Sequence, residues 1–134
     1  MKNLVIDASV IIDWFEIDEK IRGRAKALHD LIANKKVSAI IPRYLLLELV
    51  NVLVTKKHFD KEMTKAAVQG ILDLGMQVEE IGDEDWEGVI DVACEYKLAA
   101  YDAVYVYMAK KFGTKLLSKD KRLLEIGELV VGEV

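Results

Sequence analysis

The sequence is poor in the residues that mark secreted, thiol-ligated or membrane proteins. It has one cysteine, Cys94, so no internal disulfide can form, and a reducing compartment such as the cytoplasm is expected. No apolar run is long enough to cross a bilayer, which takes about 20 residues. The N-terminus passes from one lysine directly to Asp7, so no signal peptide is expected. With a single proline and no repeat, linker or low-complexity tract, the chain is predicted to form one domain over residues 1–134.

The chain also lacks an excess of positive charge. Its 19 basic and 23 acidic residues give a net charge of −4, which argues against a broad basic face for nucleic acid. A nucleic-acid enzyme is still compatible with this charge, because a carboxylate metal site is negative until its cations bind. The 52% of hydrophobic residues indicates a globular protein with a real core.

Apolar strand patterns alternate with helical patterns along the whole sequence. Strands are predicted at 4–9, 37–41, 76–81, 115–118 and 129–131, with 76–81 at a sheet edge because its residues alternate in polarity. Helices are predicted at 10–15, 19–36, 43–58, 60–74, 83–96 and from 101 to the stop at Gly113. This order predicts a three-layer α/β/α sandwich with a central, mainly parallel sheet of four to five strands.

Several details of these helices are also predicted. Asp13 is expected to face water, Pro42 to open its helix, and Asp60 and Asp83 to act as N-caps. The inner stripe of the second helix is assigned to Ile21, Ala25, Leu28, Leu31 and Ile32.

Four acids occupy places where a carboxylate is costly. Asp7 ends a buried strand, Glu48 interrupts an apolar helix, Asp102 opens an apolar helix, and Asp120 follows a buried strand. Asp102 and Asp120 could each serve only as N-caps, and Glu48 could be a solvated helix residue. Taken together at the carboxyl edge of a parallel sheet, where ligands bind, the four predict a shared site.

Such a cluster is expected to need cations. Oxygen ligands without histidine or cysteine favour Mg²⁺ or Mn²⁺, with one or two ions per site. Two such ions suit phosphodiester hydrolysis by an activated water. The hydroxyls of Ser9 and Ser118 are placed to support Asp7 and Asp120.

One rival interpretation is a doubly wound Mg²⁺-dependent phosphatase or phospho-acceptor. A haloacid-dehalogenase-type phosphatase requires a second aspartate two residues after the first, and Ser9 occupies that position. This argues that Asp7 is a metal ligand and not an attacking group.

Four segments resemble the successive motifs of the PIN domain, and especially the VapC-type toxins of prokaryotic toxin–antitoxin pairs. They are Leu4-Val5-Ile6-Asp7-Ala8-Ser9-Val10, Glu48-Leu49-Val50-Asn51-Val52-Leu53, Tyr101-Asp102-Ala103-Val104-Tyr105, and Leu117-Ser118-Lys119-Asp120-Lys121-Arg122-Leu123. The resemblance implies a Mg²⁺- or Mn²⁺-dependent endoribonuclease in which Asp7, Glu48, Asp102 and Asp120 form the acidic quartet. It also implies a homodimer and a cognate antitoxin that inhibits the enzyme. A non-catalytic PIN-like domain that binds RNA or protein is the alternative.

Further residues are assigned to the site or its surroundings. Asn51 lies one helical turn beyond Glu48, and the phosphate contacts are assigned to Lys119, Lys121 and Arg122. Core packing is the favoured role for six aromatic or sulphur side chains near the motifs, and the first four of them are also candidates for base stacking: Trp14, Phe15, Tyr44, Tyr101, Tyr105 and Met108. The apolar helical segments 45–54 and 63–74 are candidates for the dimer surface.

Overall fold

The structure is a computed structural model that describes residues 2–124 and 126, without the side chain of Leu124. Its strands are β1 (Lys2–Ile6), β2 (Val37–Pro42), β3 (Gln77–Glu79) and β4 (Lys115–Leu117). Its helices are α1 (Ala8–Ile12), α2 (Glu19–Ala33), α3 (Tyr44–Thr55), α4 (Lys61–Asp73), α5 (Trp86–Tyr96), α6 (Ala100–Lys111) and α7 (Lys121–Leu124). Short 3-10 turns cover Asp13–Phe15 and Asp83–Asp85.

The described strands form one parallel sheet in the order β3-β2-β1-β4. Val5 pairs with Ile40 on one side and with Leu116 on the other, so β1 is an internal strand. Val5 and Ile6 are both fully buried and point to opposite faces, so both faces of β1 are covered. The predicted α/β/α sandwich and the edge position of the third strand are confirmed. The strand predicted at 129–131 lies outside the described residues.

Helix α6 contributes much of the core beneath the site. It packs on β1, β2 and β4, and its residues Ala103, Val106 and Ala109 are fully buried. Its small side chains allow a close approach to the sheet, and this approach brings the first turn of the helix to the carboxyl edge of β1. The edge that carries Asp7 is therefore also the edge at which α6 begins.

Several predicted details of the helices are wrong. The side chain of Asp13 is only 16% exposed, because it forms an ion pair with Lys119. Leu31 is 44% exposed, since the buried arc of α2 runs through Ala25, Leu28 and Ile32 and Leu31 lies outside it.

Two predicted helix starts also differ. Pro42 ends β2, and Arg43 occupies the N-cap of α3. The cap at the next start is Gly82, whose N–H is bound by the carboxylate of Asp85 at 2.9 Å, and Asp83 begins the 3-10 turn. The Asp60 cap is confirmed by its hydrogen bond from the Met63 N–H at 2.8 Å.

None of the helices that the structure describes is long and apolar enough to cross a membrane.

Candidate active site

Asp7 is the most buried of the four candidate acids. It follows β1 and serves as the N-cap of α1, where its Oδ1 accepts the Ser9 N–H at 2.8 Å. The hydroxyl of Ser9 donates to the same oxygen, and the hydroxyl of Ser118 donates to Oδ2. Only 3% of Asp7 is exposed, and this burial raises its pKa even though these hydrogen bonds favour the charged form.

Ser9 and Ser118 also connect Asp7 to the loop after β4. The Ser9 hydroxyl oxygen accepts the Lys119 N–H at 3.1 Å, and the Ser118 hydroxyl oxygen accepts the Asp120 N–H at 2.9 Å. Both serines thus fix the backbone that carries Asp120 relative to Asp7. Since β4 pairs with β1, the two acids follow neighbouring parallel strands.

Glu48 reaches this edge from helix α3. It is half-buried between Leu45 and Leu49, which are completely buried. Burial raises the pKa of Glu48 to about 7, with smaller contributions from the negative charges of Asp7 and Asp102. These two charges act on Glu48 because Asp7 follows β1, and Glu48 on α3 and Asp102 on α6 both lie near the end of that strand.

Asp102 lies in the first turn of α6. Burial raises its pKa most, followed by the charges of Asp120 and Asp7, while the guanidinium of Arg122 lowers it. Asp120 is half-buried and caps α7, because its Oδ1 accepts the Arg122 N–H at 2.9 Å. The four acids therefore lie in one electrostatic cluster that is built from four separate parts of the chain.

The cluster suits Mg²⁺ or Mn²⁺ by the chemistry of its donors, which are carboxylate and hydroxyl oxygens. Within residues 2–124 and 126, no group of three or more His, Cys, Asp or Glu side chains is arranged so that it could hold a metal ion. The donor types fit, but the side chains of the cluster have to close in around a cation. Burial raises the pKa values of Glu48 and Asp102 most, and the negative charges of neighbouring acids raise them further, so a bound cation would favour the charged form of both.

The remaining predicted site residues differ in their exposure and in the groups that they already contact. Asn51 is exposed on α3, and its carbonyl accepts the Thr55 hydroxyl at 2.6 Å. Lys121 is exposed at the start of α7. Arg122 acts on the Asp102 charge, but its Nη2 also donates to the Lys97 carbonyl at 2.9 Å. Of the predicted phosphate contacts, Lys121 and Arg122 are therefore the better placed, since the ammonium of Lys119 is paired with Asp13.

Two tyrosines, Tyr44 and Tyr105, form an inner wall; Tyr44 is predicted to pack in the core or to stack on a base, and Tyr105 only to pack in the core. Tyr44 stands one turn before Glu48 on α3, and its hydroxyl donates to the Tyr101 carbonyl at 2.5 Å. Its ring packs edge to face with Tyr105 at 5.7 Å. Burial, and then the charge of Glu48, raise the pKa of Tyr44 well above its ordinary value, so its phenol stays protonated. The four-residue spacing from Tyr44 to Glu48 was the available sequence signal for this wall.

An apolar cavity of about 780 Å³ lies beside the tyrosine wall. It is lined by Leu46, Leu47, Trp86, Tyr101 and Val104, among others. Tyr101 is 65% exposed here, so its predicted core role is wrong, whereas Tyr105 at 2% and Met108 at 1% are confirmed as core. Trp14, Phe15 and Tyr44 are partly buried against the core, as predicted.

The sequence matches the model of the PIN domain family over residues 4–129. Because this match covers nearly the whole chain, the protein belongs to the PIN domain family. No curated protein is significantly similar to it in sequence.

Solved structures with similar folds include PAE2754, VapBC2 and VapC20. PAE2754 from Pyrobaculum aerophilum is 22% identical, with a TM-score of 0.72 over 98% of this chain and 83% of that one. VapBC2 from Rickettsia felis, bound to a DNA fragment from their promoter, is 13% identical, with a TM-score of 0.73 over 98% of both chains. VapC20 from Mycobacterium tuberculosis, a sarcin-ricin loop cleaving toxin, is 19% identical, with a TM-score of 0.73 over 96% of this chain and 98% of that one. At these identities the likeness concerns the fold.

Proposed function

We propose that this protein is a Mg²⁺- or Mn²⁺-dependent endoribonuclease that hydrolyses RNA phosphodiester bonds, and that it is the toxin of a toxin–antitoxin pair. The observation that carries the proposal is the electrostatic cluster of Asp7, Glu48, Asp102 and Asp120 at one edge of the sheet. Membership of the PIN family and the similarity of the fold to VapC toxins support it.

The four acids are the groups that would hold one or two divalent cations. Such cations supply a water nucleophile of lowered pKa and compensate the charge that develops on the phosphate and the leaving oxygen. Asp7 enters this role already oriented, because Ser9 and Ser118 fix both of its carboxylate oxygens. Glu48, whose pKa is about 7, is partly protonated at neutral pH until a cation replaces the proton.

The RNA is expected to approach from the α7 side of the cluster. Lys121 and Arg122 are exposed there and would neutralise phosphates next to the scissile bond. The exposed ring of Tyr101 offers a surface on which a base can stack. The net charge of −4 implies that these contacts are local and that binding without cations is weak.

We further propose that the protein is a cytoplasmic homodimer and that a cognate antitoxin binds it. Exposed apolar side chains on the segments proposed as dimer surface include Leu47 at 73%, Val54 at 47%, Met63 at 49% and Leu72 at 46%. Burial of such side chains stabilises association by roughly 25 cal/mol per Å² before the cost of ordering is subtracted. Sedimentation of the purified protein measures the oligomeric state.

A non-catalytic PIN-like domain that binds RNA or protein is the second candidate. The observation that favours it is that, among the described residues, no three His, Cys, Asp or Glu side chains are arranged so that they could hold a metal ion. The phosphatase alternative is less favourable, since the hydroxyl of Ser9 donates to Asp7 and leaves no second carboxylate at that position.

The deciding experiment is incubation of the protein with total cellular RNA and Mg²⁺ or Mn²⁺, followed by mapping of the cut ends. Asp7→Asn is expected to abolish cleavage and keep the fold, because asparagine is also a good N-cap for α1. Asp91→Asn, at an exposed position of α5, is the matched control and should cleave like the wild type. Cleavage by Asp7→Asn at the wild-type rate under saturating Mn²⁺ would contradict the proposal.

The toxin role predicts growth arrest on induced expression of the wild type but not of Asp7→Asn.

A further inference from the structure

The segment 118–120 carries Asp120 but belongs to neither a helix nor a strand. Strand β4 ends at Leu117, and helix α7 begins at Lys121. The backbone of the segment therefore lies outside the regular hydrogen bonds of sheet and helix, and its contacts with neighbouring elements decide where Asp120 lies.

Helix α1 contacts this segment at two points of Lys119. The Ser9 hydroxyl oxygen accepts the backbone N–H of Lys119 at 3.1 Å, and the Asp13 carboxylate forms an ion pair with its ammonium. Ser9 lies in the first turn of α1, and Asp13 is the C-cap of the same helix. Residues four apart lie on one face of a helix, so this face of α1 holds both the backbone and the side chain of Lys119.

The two residues that flank Lys119 are joined to Asp7. The hydroxyl of Ser118, which is completely buried, donates to Asp7 and accepts the Asp120 N–H at 2.9 Å. The ion pair of Asp13 with Lys119 is thus the outer end of a continuous set of contacts that reaches Asp120.

The exposure of the ion pair indicates that its main effect is local. The side chain of Asp13 is 16% exposed and that of Lys119 is 43% exposed. Ion pairs with a partner as exposed as this usually contribute little to the stability of the whole protein. An ordered pair does restrict where its backbone lies, so we expect the consequence of this one at the position of segment 118–120.

We propose that Asp13 is a positioning residue that, through its ion pair with Lys119, holds segment 118–120 against α1 and so places the Asp120 carboxylate for a cation shared with Asp7. The inference rests on the proposed function, since it assigns Asp13 a part in forming the cation site. The competing interpretation is that Lys119 binds an RNA phosphate and that Asp13 only opposes this binding.

The test is Asp13→Asn, which removes the charge and keeps the size of the side chain. In the metal-free protein, hydrogen exchange of the Lys119 and Asp120 amides should become roughly two- to fivefold faster, as expected for loss of a partly exposed ion pair. Calorimetric titration should show roughly three- to tenfold weaker Mn²⁺ binding, at or below the lower end of the usual effect of losing a group that orients a ligand. RNA cleavage should show a lower kcat and an unchanged KM.

The competing interpretation predicts a different result for the same variant. If Lys119 binds phosphate, its release from Asp13 should lower KM and leave kcat, Mn²⁺ affinity and amide exchange unchanged, and this outcome would overturn the inference. A double variant, Asp13→Asn with Lys119→Met, gives a further check. Its Mn²⁺ affinity should be no lower than that of either single variant, because both substitutions break the same contact, and additive losses would contradict the inference.

Glu16→Gln is the matched control, because it breaks another ion pair three residues further along the chain. Glu16 pairs with Lys57, 41 positions away, and the two side chains are 29% and 13% exposed. This pair does not touch segment 118–120, so exchange of the Lys119 amide and Mn²⁺ affinity should stay as in the wild type. Equal losses in Glu16→Gln and Asp13→Asn would show a general effect of charge and overturn the inference. If the wild type neither binds Mn²⁺ nor cleaves RNA, the proposed function fails, and amide exchange still decides whether Asp13 holds the segment.

Discussion

Glu48→Gln should stabilise the metal-free protein at neutral and alkaline pH. In the folded chain the pKa of Glu48 rises from its ordinary value of 4.5 to about 7. A shift of this size corresponds to about 3.4 kcal/mol at 1.36 kcal/mol per pKa unit. Solvent screening at a half-buried carboxylate reduces this figure, and we expect roughly 1–2 kcal/mol.

The sign follows from proton binding. A carboxyl whose folded-state pKa is raised binds its proton more tightly in the folded state, so stability falls as the pH rises from about 4.5 to 7 and stays low above it. Glutamine carries no charge and lacks this loss. The two proteins should therefore unfold alike near pH 4.5, and the variant should become the more stable one by pH 8.

Urea unfolding in the presence of a chelator, from pH 4.5 to 9, measures this difference. Thermal unfolding should give a gain of roughly 3–8 °C at pH 8, given about 3–4 °C per kcal/mol for a chain of this size. Glu95→Gln, at an exposed position of α5, is the control and should keep the pH dependence of the wild type. A stability difference that does not change with pH, or one that favours the wild type as the pH rises, would refute the reasoning. Saturating Mn²⁺ should reverse the order, because only the wild type keeps all four ligands.

Two further predictions concern the packing of α5 against α6 and the change of unfolding free energy at acidic pH. A Cβ added at Gly88 would lie 2.7 Å from Cδ1 of the Tyr107 ring, so Gly88→Ala should cost about 1–3 kcal/mol in urea unfolding. Gly70→Ala on α4 meets no atom within 4 Å and should stabilise by about 0.5–1 kcal/mol, and equal effects of the two substitutions would contradict the packing argument. Hydrogen bonds from Tyr107 and then Lys111 hold the pKa of Asp85 at about 2, so Asp85→Asn should cost roughly 1–3 kcal/mol at pH 7. That loss should shrink as the pH falls from 4 to 2, because the bonds stabilise only the charged carboxylate, and a pH-independent difference would oppose this account.

The sequence was most informative at acidic residues that lie in or directly after apolar segments. An unbroken apolar strand that ends in Asp7 predicted both an internal strand and an acid at its carboxyl end, and the structure has both. Glu48 was recognisable in the same way, because it is the one acid inside an otherwise apolar helix. These predictions depend only on local pattern and on the rule that parallel strands share one functional edge.

Interactions between distant segments were not predictable from such patterns. Asp13 and Lys119 are 106 positions apart, and no local feature pairs them. Leu31 fits the helical period, but its burial depends on how wide a strip of α2 the sheet covers. Tyr105 was correctly assigned to the core, but its edge-to-face contact with Tyr44 joins two helices and has no local signal in the sequence.

The four acids differ in how firmly the protein holds them, and this difference has a consequence for cation binding. Asp7 is oriented by two hydroxyls and a backbone N–H, which bind both of its carboxylate oxygens. Glu48 and Asp102 are carried by α3 and α6, and burial raises the pKa of Glu48, with smaller contributions from the charges of Asp7 and Asp102. Asp7, Glu48 and Asp102 would hold a cation whose positive charge would favour the ionised form of Glu48. Affinity for cations should therefore rise steeply between pH 6 and 8, as the proton that competes for Glu48 is lost.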